Sequence, residues 1–129
     1  MDNYESQHLL FHEETENIIR ACIEVHRSLG QGFLEAIYHE ALSYEFEDRE
    51  IPFDSEVALE VWYKKRKLKK IYFADFICYD QILLEIKAVE KLTNDHYAQV
   101  LNYLKATDMK LGLLINFGSS KIEIKRMIN

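Results

Sequence analysis

The chain reads as an α/β protein, a mixed β-sheet flanked by helices in the order α-α-β-β-β-α-β-β. Three observations predict this. Apolar residues recur at helical spacing up to about Arg49. The period then changes to two from about Glu56. After one more helical stretch, a continuous apolar run appears, the mark of a strand buried on both faces.

Taken in order, residues 13–29 carry Ile18, Ile19, Cys22, Val25 and Leu29 on one helical stripe, with Gly30 as the stop. A second helix is expected from Leu34 to Arg49, with Leu34, Ile37, Tyr38, Ala41, Leu42 and Phe46 facing inward. Ile51-Pro52 ends it, because proline disfavours helix in the residue before it. Val57, Leu59, Val61 and Tyr63 alternate with Glu56, Ala58, Glu60 and Trp62, a first strand. A lysine-rich turn leads to a second strand at about Ile71–Tyr79, and a third covers Ile82–Val89. The next helix ends at Thr107, with Asn94 or Asp95 as its N-cap. "LGLLINFG", residues 111–118, is the buried strand, and "KIEIKRMI" alternates as a final, more exposed one.

At 129 residues this is one domain, and 48% hydrophobic content is that of a folded chain. No apolar run reaches membrane-spanning length. The polar, acidic start "MDNYESQHLLFHEETEN" lacks the basic and apolar regions of a signal peptide. The two cysteines, Cys22 and Cys78, are expected as buried, reduced thiols of a cytoplasmic protein. A net charge of −6 argues against coating nucleic acid through bulk charge. The cations are nonetheless uneven, since Lys64, Lys65, Arg66, Lys67, Lys69 and Lys70 supply six of sixteen. This cluster is either a nucleic-acid contact or the wet tip of a hairpin.

The second and third strands hold the informative stretch, "FADFICYDQILLEIKAVE". Centring the turn on Asp80 sets Asp75 across from Glu85, with Lys87 on the same face as Glu85. The other face carries Tyr72, Ala74, Phe76, Cys78, Ile82, Leu84, Ile86 and Ala88. Two carboxylates roughly 5 Å apart repel by about 3 kcal/mol at an effective dielectric near 20. A cation, a bound proton or the lysine must offset this. A hard divalent ion such as Mg²⁺ suits carboxylate oxygens, and Lys87 would stand beside its water. The competing reading is an exposed sheet face with a cross-strand Glu–Lys pair. In the following helix, Gln99 and Tyr103 share a face with His96 one turn earlier, while Ala98, Leu101 and Leu104 are expected to pack. That polar stripe either reaches the carboxylates or faces solvent. Glu35 stands in the first turn of its helix, where an acidic residue is favourable in any case.

Gly32-x-x-Glu35-x-x-Tyr38, Phe73-Ala74-Asp75, Glu85-Ile86-Lys87, Gln99-x-x-x-Tyr103 and "GLLINFG" occur in that order. The set resembles the GxxExxY proteins, a bacterial and archaeal group within the PD-(D/E)XK nuclease superfamily, from about Val25 to Arg126. The resemblance implies a restriction-endonuclease-like fold and a Mg²⁺- or Mn²⁺-dependent nuclease acting on DNA. Asp75, Glu85 and the main-chain carbonyl of Ile86 would bind the metal, and Lys87 would position the attacking water. Glu35 would complete the acidic site, with Gln99 and Tyr103 reaching it from the later helix. His26, in "VHRSLGQG", is read as a core histidine beside any role in the motif. Ala74 departs from the superfamily's nominal proline, and Gln31 stands where members often carry proline. Small nucleases of this fold often act as homodimers.

Two functions follow: a metal-dependent nuclease, or a catalytically silent nucleic-acid- or protein-binding module on the same fold. A retaining glycosidase also uses carboxylates about 5 Å apart, but a lysine beside the pair and so short a chain disfavour it. Zinc and cysteine-nucleophile chemistry fail on spacing, for neither cysteine has an arranged histidine partner.

Overall fold

The computed structural model describes residues 10–129, so residues 1–9 of the polar start lie outside the described residues. The order is α1 (His12–Leu29), α2 (Glu35–Asp48), β1 (Phe53–Tyr63), β2 (Arg66–Cys78), β3 (Ile82–Lys87), α3 (Asn94–Thr107), β4 (Leu111–Asn116) and β5 (Glu123–Ile128). The expected order is therefore the observed one. The strands form one mixed sheet in the order β1-β2-β3-β4-β5. Only β3 and β4 are parallel, and α3 is the crossover a parallel pair requires.

The sheet is covered on both faces. Ile18, Cys22 and Val25 of α1 and Tyr38, Leu42 and Phe46 of α2 pack against Phe76, Leu84, Ile86 and Leu113. Val100, Tyr103 and Leu104 of α3 pack against Leu59, Ala74, Leu83 and Leu114 on the other face. All of β4 is buried, the reason it reads as an unbroken apolar run. Cys22 and Cys78 are buried free thiols in the first core, and burial pushes Cys78 up to about 12.

Several details differ from expectation. Leu34 precedes α2 in extended conformation and is 78% exposed, and Ile37 is 42% exposed. The inward stripe of α2 is instead Tyr38, Leu42 and Phe46, spaced four apart. On α3, Ala98 and Leu101 face solvent, because the buried face is the one holding Val100, Tyr103 and Leu104. The N-cap is Thr93, whose N–H donates to His96 Nδ1 at 3.0 Å, so His96 secures the helix start. The lysine-rich segment is mostly strand: β2 begins at Arg66 and the turn is only Lys64-Lys65.

The β2–β3 register follows the expected turn, with Phe76, Ile77 and Cys78 opposite Leu84, Leu83 and Ile82. Tyr79 and Asp80 both have positive φ, the primed turn whose twist matches a hairpin. One expectation about faces fails. Ala74 and Phe76 are both fully buried but in different cores, and Tyr72 follows Ala74. A regular strand places i and i+2 on one face. Across from this point Glu56 is left-handed, with φ 51°, and the β1–β2 pairing skips from Ser55–Phe76 to Val57–Ala74. The ribbon therefore turns over at Asp75.

β3 stops at Lys87 rather than Val89 because a buried asparagine takes over the backbone beyond it. Asn116 is fully buried, and its Oδ1 accepts from Val89 N–H at 2.9 Å and Gly118 N–H at 3.0 Å. Its Nδ2 donates to Val89 O and to Glu123 Oε1, both at 2.8 Å. Gly118 must lack a side chain here, since a Cβ would lie 2.4 Å from Val89 N and O. Asn116→Ala would leave these groups unpaired, so a loss of about 3 kcal/mol in urea denaturation is expected. An unchanged midpoint would show that the clamp is dispensable.

Candidate functional site

The Asp75–Glu85 pair forms at the rung where β2 and β3 stop pairing through their backbones. Asp75 N–H donates to Glu85 Oε1 at 3.0 Å, and Ile86 N–H donates to Asp75 Oδ2 at 2.8 Å. The two carboxyl groups thus satisfy donors that the diverging strands would leave orphaned. The Ile86 side chain is fully buried in the first core. Glu85 is 4% exposed and Asp75 is half-buried. Glu85 shares the face of Leu83, under α3, as strand alternation requires.

Burial dominates the electrostatics. It pushes Glu85 up to about 8, and the Asp75 charge adds to the rise. Burial also raises Asp75, partly offset by the Ile86 N–H and by His39 and Lys87. Burial is the leading cause of both shifts, and each carboxyl group also acts on the other. Of the offsets anticipated for two opposed carboxylates, a bound proton is the one that the rise of Glu85 favours.

Lys87 is half-buried at the end of β3, and its charge lowers Asp75, Glu85 and Glu35 alike. None of the ion pairs among the described residues includes it, so it acts on the carboxyls as a common cation. Glu35 opens α2. Partial burial and then the Asp75 charge raise it, while Lys87 and His39 lower it, and its solvent exposure screens all of these. Among the described residues, no group of three or more His, Cys, Asp or Glu side chains is set to hold a metal ion. Glu35 is linked to Asp75 and Lys87 through charge. The placement of Glu35 comes from the preceding loop. Gly32 has φ 109°, and the buried Tyr38 hydroxyl donates to Gly30 O at 2.6 Å and accepts from Phe33 N–H at 3.3 Å. The Tyr38 ring stacks on Phe117, centroids 4.9 Å apart. The spacing of Gly32, Glu35 and Tyr38 is thus a loop latch with an acid on it.

From the opposite layer, α3 presents Gln99 and Tyr103 to the pair. Burial first, then the Glu85 charge, raise Tyr103. Gln99 Nε2 donates to the Tyr103 hydroxyl at 3.1 Å, and Gln99 Oε1 is buried with no partner. An orphaned acceptor costs stability, so it fits a site that receives a donor from outside the chain. Sequence reasoning missed His39. Its Nε2 lies 3.3 Å from Asp75 O, its ring stacks on Phe76 with centroids 4.3 Å apart, and its charge lowers Glu35 and Asp75. The available signal was its position four residues after Glu35 on one helix face. His26 Nε2 meets Ser119 O at 3.0 Å, tying α1 to the β4–β5 turn. Lys64, Lys65, Arg66 and Lys67 are exposed on the β1–β2 ribbon, and Lys67 pairs with Glu60 at 3.0 Å.

The donor set suits a divalent ion. The buried Glu85 and half-buried Asp75 carry hard oxygen ligands, and only one oxygen of each is engaged by a backbone N–H. A dication there would displace any proton bound to the pair.

The family model described as the PD-(D/E)XK nuclease superfamily matches residues 12–127. The crystal structure of SSO0001 is similar, with a TM-score of 0.59 at 21% identity over 73% of this chain and 49% of that one. The chain thus spans about half the length of that protein, and the likeness is one of fold. No curated protein matches the chain. No helix among the described residues is long and apolar enough to cross a membrane. A superfamily match over nearly the whole chain, on a restriction-endonuclease-like sheet, shows that the chain belongs to the PD-(D/E)XK nuclease superfamily.

Proposed function

We propose that this domain is a divalent-metal-dependent nuclease hydrolysing phosphodiester bonds in DNA, of the GxxExxY type. The observation that carries this reading is the buried Asp75–Glu85 pair with Lys87 as its shared cation. Asp75, Glu85 and the Ile86 carbonyl would hold Mg²⁺ or Mn²⁺. When bound, the ion supplies Lewis-acid charge and makes water a stronger acid. Lys87 orients the attacking water and offsets charge growing on the phosphate. Glu35, held by the Tyr38 latch, adds an acidic group beside Asp75 and Lys87. Gln99 Oε1 takes a donor from water or substrate, and Tyr103 holds the Gln99 amide in place. Lys64, Lys65, Arg66 and Lys67 contact the nucleic-acid backbone away from the chemistry.

A second reading, a catalytically silent binding module, is favoured by one observation: a single domain of 129 residues with a net charge of −6 has little room for sequence readout. Incubating the protein with plasmid and linear DNA in Mg²⁺ or Mn²⁺, against EDTA, separates the two. Divalent-dependent cleavage that Glu85→Ala abolishes supports the nuclease. Binding without turnover in either ion supports the module. Sedimentation of the same samples tests the homodimer.

A further inference from the structure

The outer half of the β1–β2 ribbon takes no part in the site described above. β3 pairs with β2 only from Phe76 to Cys78, whereas β1 follows β2 out to Arg66. Along this extension Trp62, Tyr63, Leu68 and Ile71 are exposed, Trp62 by 57%. Between Glu60–Ile71 and Trp62–Lys67 the register shifts, and residues 68–70 stand opposite Val61 alone. Such a bulge re-aims side chains. Here Val61 and Trp62, which a regular strand sends to opposite faces, line one groove of about 610 Å³. Tyr72 and the Asn102, Lys105 and Ala106 face of α3 complete it. At its inner end the Tyr72 and Tyr103 rings lie 5.0 Å apart, and Tyr103 feels the Glu85 charge. At the ribbon tip, Tyr63, Lys64, Lys65 and Arg66 line a second hollow of about 470 Å³.

We propose that this groove stacks the bases of an unpaired nucleic-acid strand and leads that strand to the Asp75–Glu85 pair. Its destination rests on the nuclease reading, whereas the binding itself does not. Charge selects the partner class. In a chain of net charge −6, Lys64, Lys65, Arg66, Lys69 and Lys70 gather on this one ribbon, and Lys105 faces it from α3. Lys67 is partly spent on Glu60. A polyanion complements such a strip. The aromatic rings select the form of that polyanion. Exposed Trp and Tyr faces beside cations are a platform for bases, which a duplex keeps stacked on one another. Only Asn102 offers a side-chain amide for base edges, so stacking at this groove tolerates any sequence.

Trp62 is the one tryptophan in the chain, so its fluorescence reports this groove alone. The full chain is titrated in EDTA, where no divalent ion is present, with a short oligothymidylate, the same length of abasic strand, and duplex DNA. Oligothymidylate is expected to quench Trp62 by about half or more, with abasic strand and duplex producing little change. By anisotropy of a labelled oligothymidylate, Trp62→Ala is expected to weaken binding roughly tenfold to a hundredfold, and Trp62→Phe only severalfold. Lys105→Glu is expected to weaken it about tenfold. Equal quenching by the abasic strand, tighter binding of duplex, or unchanged affinity in Trp62→Ala each overturns the proposal. Quenching without cleavage in Mg²⁺ keeps the groove and removes the nuclease reading, while cleavage without quenching does the reverse.

Discussion

Replacing Lys87 by alanine is expected to lower kcat for DNA cleavage by about 10²- to 10³-fold, with little change in KM. The reason lies in position. Lys87 ends β3 two residues after Glu85, and its charge acts on Asp75, Glu85 and Glu35 together without being tied to any one of them. An ammonium without an ion pair among the described residues is free to meet a phosphate. Lys87→Met keeps the apolar stem and should lose as much activity as alanine, which separates charge from packing. Lys87→Arg should recover only part, because a planar fork cannot replace a compact ammonium at a water-sized position. Without Lys87 the carboxyls hold their proton more firmly, so Mn²⁺ binding should weaken near neutral pH and recover as pH rises. Full kcat in Lys87→Ala would remove this residue from the chemistry.

Glu85→Gln should stabilise the metal-free protein at pH 8 while ending cleavage. Below its ordinary value near 4.5, Glu85 is protonated folded and unfolded, so it contributes no difference. From there to about 8, the unfolded chain releases the proton and the folded one keeps it. Stability therefore falls as pH rises through this window, by at most about 1.4 kcal/mol per unit from this group, and levels off above it. Asp75, also raised, adds to the same fall. Glutamine holds no titrating proton and still offers an oxygen to Asp75 N–H. The variant's unfolding free energy should then vary less with pH and exceed that of wild type by a few kcal/mol near pH 8. Adding Mg²⁺ or Mn²⁺ should flatten the wild-type profile and leave the variant's unchanged. A wild-type midpoint that is flat across the window would contradict the bound proton.

Much of this site was legible because it rests on local periods. Alternation on either side of Asp80 set the hairpin register, and the three pairs from Phe76–Leu84 to Cys78–Ile82 obey it. Tyr38, Gln99 and Tyr103 were legible through helical spacing. What the sequence hid depends on contacts between distant segments. Nothing local announces that the ribbon turns over at Asp75, because the cause is the left-handed Glu56 on the neighbouring strand. Asn116 looked like one polar residue in an apolar run, yet its four bonds end β3 beside Lys87. His39 lacked a signal of its own until α2 brought it to Asp75. The lysine-rich segment was read as a turn because cations favour solvent. A two-residue turn with exposed strands on both sides satisfies the same preference.

The central claim is that Asp75 and Glu85 hold a divalent ion in place of a proton. Calorimetric titration of Mn²⁺ into wild type and Glu85→Gln at neutral pH, in buffers of different ionisation enthalpy, tests it directly. One Mn²⁺ per chain, bound with release of about one proton and lost in Glu85→Gln, is the expected result. No binding by wild type, or equal binding by the variant, would contradict it.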